Sequence, residues 1–293
     1  MIEVEHLTKR YGEHVAVNDA SFVVRPGTVT GFLGPNGAGK STTLRAVTGL
    51  TPPTAGRTTI AGVPYAELPN PGRVVGVMLD AAAQHPGRTG QETLRLASLL
   101  LGLPRRAADD MLERVGLHGA AKRRVGNYSL GMRQRLGIGT ALLGDPEVLI
   151  LDEPANGMDP EGIRWMRHLL QDFAAGGGTV LLSSHLLGEV QATVDRLVVI
   201  NDGRIVADDG LDALLAGQGT YVRSLDDARL ADTLHAAGLQ ATPEAGGLRV
   251  GTTPEQVGRL AAADRHVLIE LRDGGADLED LFFTLTTHEE VAA

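Results

Sequence analysis

The 293-residue chain has no cysteine, which excludes disulfides and thiolate metal sites and suits a reducing compartment. It also lacks any apolar run near the ~18 residues a membrane span requires; the longest clean stretch is Leu96–Leu103. The opening Met1-Ile-Glu-Val-Glu does not have the basic-then-apolar shape of a secretory signal. A soluble, cytoplasmic chain is expected, one that can still sit against a membrane protein. Positive charge is scarce. The formal net charge is −9, which argues against a protein that coats nucleic acid, although a phosphate ligand needs only local positive potential. Repeats and low-complexity tracts are missing as well. What remains is an apolar fraction of 43%, enough for a sizeable core, and a length suited to one large domain plus a smaller one.

Hydrophobic patterning places the elements. The N-terminal third reads as short strands and turns, among them Phe22-Val-Val before Pro26-Gly27 and the apolar strand Val29–Leu33, with a helix at Leu44–Leu50. From about His85 the pattern turns helical. Thr89-Gly-Gln-Glu92 matches a capping box ahead of Leu94–Leu101, a second helix fits Ala107–Val115, and a third begins near Ser129. Val148–Leu151 and Val180–Leu182 are apolar without alternation, as strands buried on both faces of a parallel sheet must be. Between them Ile163, Met166, Leu169, Leu170 and Phe173 recur at helical spacing, completing a βαβ unit and an α/β fold class. Beyond about residue 212 a small α/β accessory domain, residues 213–293, is expected. Its strands are Thr220–Ser224, Leu248–Val250 and Val267–Leu271, and its helices Asp226–Ala237, Thr253–Ala263 and Leu278–Thr286.

One segment carries phosphate chemistry. Gly34-Pro35-Asn36-Gly37-Ala38-Gly39-Lys40-Ser41-Thr42 fits G-x-x-x-x-G-K-[ST] between a strand and a helix. Glycines let backbone amides turn inward around phosphate oxygens, and the helix start adds its positive dipole end. Lys40 can reach the outer phosphates, and the Ser41 hydroxyl can ligate Mg²⁺. Lysine otherwise occurs only at positions 9 and 122, so Lys40 is no by-product of a lysine-rich segment. Asp152 and Glu153 follow a buried strand at the edge where open α/β sheets bind ligands. Asp152 suits the metal and Glu153 the polarisation of an attacking water. His185 ends the strand Val180–Ser184 on the same edge; taken alone it is as well explained as a surface or core histidine.

With these motifs assembled, residues 1–212 resemble the ATP-binding subunit of an ABC transporter. Tyr128-Ser129-Leu130-Gly131-Met132-Arg133-Gln134 resembles that family's signature motif, Asn156-Gly-Met-Asp159 its D-loop and His185 its switch histidine. The resemblance implies a P-loop NTPase fold: a RecA-like parallel core, an antiparallel β subdomain and a helical subdomain over about residues 85–143. It implies ATP and Mg²⁺ as cofactors, with catalysis by Lys40, Glu153 and His185. Ser129 and Gly131 are then expected to act on the ATP of a second copy in a head-to-tail dimer. Tyr11, in Lys-Arg-Tyr-Gly, resembles the aromatic that stacks on adenine, or else it packs locally. The family works through a separate transmembrane permease, which implies a peripheral place on the cytoplasmic membrane face. The ending Leu278-Glu-Asp-Leu-Phe-Phe-Thr-Leu-Thr resembles drug- and antibiotic-exporter ATPases.

Two positions depart from the family pattern. Leu130 stands where a second glycine is frequent. The strand Val74–Leu79 ends on Asp80 rather than the usual glutamine, so Asp80 becomes a candidate for Mg²⁺, with Gln84 as the alternative. A soluble ABC ATPase acting on nucleic acid or ribosomes is the competing reading. The chain has neither the paired ATPase domains nor the coiled-coil insertion of those types, and it has no basic cluster.

Overall fold

The computed structural model describes residues 1–216, 219–244, 246–274 and 278–287. They divide into two compact units, Met1–Asp209 together with residues 285–287, and Gly210–Thr284.

In the first unit the chain opens with β1 (Ile2–Tyr11) and β2 (His14–Val24), and Pro26-Gly27 separates β2 from β3 (Thr28–Leu33). The Gly-rich loop leads into α1 (Lys40–Val47), and β4 (Ala55–Ile60) returns to β1, giving an antiparallel sheet of order β2-β1-β4. β5 (Val75–Met78) precedes three helices, α2 (Gly90–Leu100), α3 (Arg106–Arg114) and α4 (Leu130–Leu142). The reciprocal cap of α2 is present: the Glu92 amide donates to Thr89 Oγ1 at 3.1 Å, and the Thr89 amide to Glu92 Oε2 at 2.7 Å. Ser129 caps α4, accepting from the Met132 amide at 3.2 Å. Next come β6 (Val148–Asp152), α5 (Pro160–Ala175), β7 (Thr179–Ser183), α6 (Leu187–Gln191), β8 (Arg196–Asn201) and β9 (Arg204–Gly210).

Six strands form the central sheet in the order β5-β6-β7-β3-β8-β9, and β5 through β8 run parallel. Val148–Leu151 and Val180–Leu182 are buried throughout, which explains their unbroken apolar run. One strand, β7, separates β3, with its Gly-rich loop, from β6, with its acidic end; that spacing is the RecA-like order. Phe22 of the antiparallel sheet stacks on Phe32 of the central sheet at 5.3 Å. A single apolar cluster including Ile2, Leu7, Leu44 and Ile150 joins the two sheets, and each such fully buried side chain contributes about 1.5–3 kcal/mol. The loop and the acidic pair are therefore anchored in one rigid core.

The second unit contains α7 (Leu211–Ala216), β10 (Thr220–Ser224), α8 (Asp227–Ala236), β11 (Ala241–Glu244), β12 (Gly247–Val250), α9 (Pro254–Ala263), β13 (Leu268–Asp273) and the start of α10 (Leu278–Thr287). Its sheet has the order β11-β12-β10-β13 with every pair antiparallel. Leu230 and Leu234 of α8 and Val257 and Ala261 of α9 pack on Val222, Leu248 and Val250. β11 was not expected from sequence because it contains Pro243, which strands tolerate at an edge, and β11 is an edge. Residues 288–293 of the expected accessory domain lie outside the described residues.

Candidate active site

β3 ends at Leu33 and α1 begins at Lys40, so the loop between them must turn against the end of β8 and the hairpin of β1 and β2. Two of its glycines have no alternative. A Cβ on Gly34 would lie 2.2 Å from the Ile200 carbonyl oxygen, and one on Gly39, where φ is +106°, 2.4 Å from that of Ala16. Both obstacles are backbone and cannot step aside. The loop thus hands the free first-turn amides of α1 to the C-terminal edge of the sheet, a ready anion site.

A cavity of about 460 Å³ opens at this edge. Of the residues singled out from sequence, Tyr11, Asn36, Gly37, Gly39, Lys40, Ser41, Thr42, Asp152 and Glu153 line it. Gly34, Pro35 and Ala38 are not in its wall; they shape the loop behind it. Lys40 folds back on that loop, donating to the Gly34 carbonyl at 2.5 Å and the Pro35 carbonyl at 3.0 Å. Burial holds its ammonium below the usual lysine range, while Glu153 and Asp152 pull the other way. Ser41 Oγ donates to Asp152 Oδ2 at 3.1 Å, so the loop hydroxyl and the strand-end carboxylate meet across the cavity. Tyr11, 49% exposed, stands at the rim with the Lys9 ammonium 5.1 Å from its ring centre.

Glu153 has a φ of +50°, a left-handed conformation uncommon outside glycine that costs about 1–3 kcal/mol. Three neighbours hold it there. Its amide donates to the Ser183 carbonyl at 3.2 Å and Ser183 Oγ at 3.1 Å. Gln134 Nε2 donates to its carbonyl at 3.2 Å and to that of Asn156 at 3.2 Å. His185 Nδ1 meets its carboxylate at 2.7 Å, which is how His185 joins a cavity it does not line. Ser183 Oγ also donates to Asp152 Oδ1. Ser183 and Gln134 were not picked out from sequence. Ser183 looks like part of an apolar run until β7 is set in register, Ser183 opposite Asp152. Gln134 lies inside the signature stretch, but its direction is visible only once α4 is packed.

Ser129 and Gly131 line a second cavity of about 310 Å³ together with Gly157, Met158 and Asp159. It shares no residue with the first. Leu130, the departure from the family pattern, packs on Gly157, where a Cβ would lie 2.1 Å from Leu130 Cδ2.

Asp80 is not brought to the phosphate cavity. It is exposed and absent from the cavity wall, although it follows β5, the direct neighbour of β6, whose end carries Asp152 and Glu153. A short turn, Ala81–Ala83, then leads the chain to α4. There Gln84 Nε2 donates to the Arg133 carbonyl at 3.0 Å. Neither candidate lines the cavity.

Ser41 and Asp152 present two hard oxygen donors 3.1 Å apart in the cavity wall. That fits Mg²⁺, which keeps several waters and takes its remaining ligands from phosphates.

Residues 17–156 match the family described as ABC transporter, and residues 209–279 match a Domain of unknown function (DUF8746). The chain is 40% identical over 225 residues to the bacitracin transport ATP-binding protein BcrA of Bacillus licheniformis, covering 76% of this chain and 74% of that protein. It is 34% identical over 295 residues to the bacitracin transport ATP-binding protein BcrA of Enterococcus faecalis, covering 97% and 96%. A solved ATP-binding subunit of an ABC transporter superposes with a TM-score of 0.67 at 30% identity, over 73% of this chain and 91% of that one. By this identity and coverage, and by the fold and cavity into which its motifs are built, the chain belongs to the ABC transporter family as an ATP-binding, ATPase subunit.

Proposed function

We propose that this subunit hydrolyses Mg-ATP in a head-to-tail pair with a second copy of itself and so drives a separate transmembrane permease of the exporter type. The observation that carries the proposal is the pair of cavities without a common residue. One holds the phosphate loop and the acidic pair. The other holds Ser129 and Gly131 at the start of α4, a helix end whose first-turn amides can meet a phosphate. Each is half of a site, and a second copy supplies the missing half to both.

In this reading residues 1–212 are the motor, and the family's docking segment for a permease is 85–143. Triphosphate binding draws Lys40 from the Gly34 and Pro35 carbonyls to the outer phosphates, and Tyr11 stacks on the base. Mg²⁺, held by Ser41 and Asp152 when bound with the nucleotide, neutralises phosphate charge. Glu153 accepts the proton of the attacking water, and His185 holds the carboxylate in place through Nδ1. No described helix is long and apolar enough to cross a membrane; the proposal assigns the membrane path to the permease and places this subunit against its cytoplasmic side. Relatives named for bacitracin transport and lantibiotic transport support export of an antibiotic-like compound. Nucleic acid has no part in it.

Glu153→Gln tests the catalytic assignment. The amide keeps the shape but cannot accept the proton, so turnover falls about 10²–10⁴-fold while ATP affinity holds. At a concentration low enough for the nucleotide-free chain to be monomeric, ATP should then trap the pair, visible as a doubling of mass by light scattering. Turnover above half the normal rate would refute the role of Glu153.

A further inference from the structure

The C-terminal sheet has two edges, and they are built differently. β11 carries Pro243, which has no amide to offer a further strand, and its Glu244 is engaged by Arg249 of β12. That edge is closed to pairing. At the other edge β13 has no proline, and no strand pairs with its outer side among the described residues. Val267, Ile269 and Leu271 are exposed there to 60%, 50% and 37%.

One bond settles which groups face outward. The Gly274 amide donates to the Gly219 carbonyl, and Tyr221–Arg272 and Arg223–Glu270 follow in the same alternation. Arg272 and Glu270 therefore turn their amides and carbonyls toward β10, and Leu271 between them turns its own outward. Side chains obey a different alternation. Leu271 shares the face of its neighbour Val222, the face covered by α8 and α9. Glu270 and Arg272 lie on the opposite face, ion-paired at 2.9 Å and half-exposed, with the Arg272 guanidinium 4.4 Å from the Tyr221 ring centre.

We propose that β13 is a self-association edge: it pairs antiparallel with β13 of a second copy of this chain about a twofold axis through Leu271, joining two C-terminal sheets into one. In that register the two Leu271 residues exchange both backbone hydrogen bonds, and their side chains extend the α9-covered core across the seam. Glu270 of each copy then lies opposite Arg272 of the other in the close, non-hydrogen-bonded arrangement, where cross-strand side chains interact best. Shifting the axis to Glu270 would set two carboxylates face to face, and shifting it to Arg272 two guanidiniums. An axis at Ile269 would put Leu268 against Glu270. The strand is thus self-complementary in charge about Leu271. The contact is isologous, so it closes at two copies. It uses no residue of either nucleotide cavity and needs no ATP.

The test uses the full chain without nucleotide, in EDTA, by sedimentation velocity from about 1 to 100 µM. Wild type is expected to dimerise. Glu270→Arg and Arg272→Glu each turn two attractive pairs into two repulsive ones and should weaken association on the order of ten-fold or more. The two variants mixed together regain both pairs and should form a heterodimer, and the double exchange E270R/R272E should recover the homodimer. That recovery also shows the variants are folded. A wild type that stays monomeric, single variants that associate like wild type, or a mixture that fails to recover would each overturn the proposal.

Discussion

Gln134→Met tests whether α4 holds Glu153, the carboxylate proposed as general base, in place. The side chain is 4% exposed, and methionine keeps its length and nearly its volume while deleting only the polar end. Two hydrogen bonds at 3.2 Å, to the Glu153 and Asn156 carbonyls, are lost. Neutral bonds of this kind contribute about 1 kcal/mol each. Gln134 Oε1, which is buried and finds no donor among the described residues, disappears as well, and such an atom costs about 1–3 kcal/mol. The terms nearly cancel. Stability should move by less than about 1–2 kcal/mol, a Tm shift of a few degrees for a domain of this size. The rate should move much further. Glu153 holds its φ of +50° against about 1–3 kcal/mol of strain, and freeing its carbonyl lets the loop relax and carry the carboxylate away from the water. Complete loss of a general base costs 10²–10⁴-fold. Ser183 and His185 still hold the residue, so a kcat drop of about 10–100-fold is expected. ATP affinity should be unchanged, because Lys40 and Ser41 are untouched. Steady-state ATPase rates, nucleotide titration and thermal melting on the same preparation separate these effects. A kcat within about two-fold of wild type with an unchanged Tm would refute the tether. Gln134→Ala is the poorer variant, since its cavity would lower stability for a different reason.

Lys40→Ala removes the one ammonium in the cavity wall and a charge-assisted bond worth about 1.5–3 kcal/mol, so ATP affinity should fall roughly 10–100-fold in a binding titration; near-normal affinity would remove the phosphate site from this loop. Asp80 and Gln84 are separated by titrating Mg²⁺ against ATPase rate. Asp80, exposed and outside the cavity, should tolerate alanine with less than about a two-fold change in the Mg²⁺ requirement. Gln84→Ala, which cuts the bond to α4, should instead alter the coupling of hydrolysis to the permease; a raised Mg²⁺ requirement for Asp80→Ala would reverse the assignment.

The phosphate loop was legible in sequence because one contiguous stretch, residues 34–42, carries its glycines, lysine and hydroxyls, and the fold sets that stretch at the cavity. The strands β6 and β7 were legible because burial on both faces leaves a run that no exposed element would carry. The capping box at Thr89 and Glu92 was legible because its partners are three residues apart. Other features needed the assembled fold. Ser41 and Asp152 are 111 residues apart and meet only because a single strand, β7, lies between β3 and β6. Ser183 became a site residue through parallel register, and Gln134 through the packing of α4 on the Glu153 loop. The left-handed Glu153 backbone has no signature in residue type, because glutamate avoids that conformation unless neighbours hold it there. Asp80 shows the opposite case: its position after an apolar strand beside β6 pointed to the ligand edge, yet it is exposed and outside the wall of the cavity. Residue type and local spacing state what a side chain can do. Which side chains act together is decided by strand order, register and helix packing, where groups distant in sequence share one space.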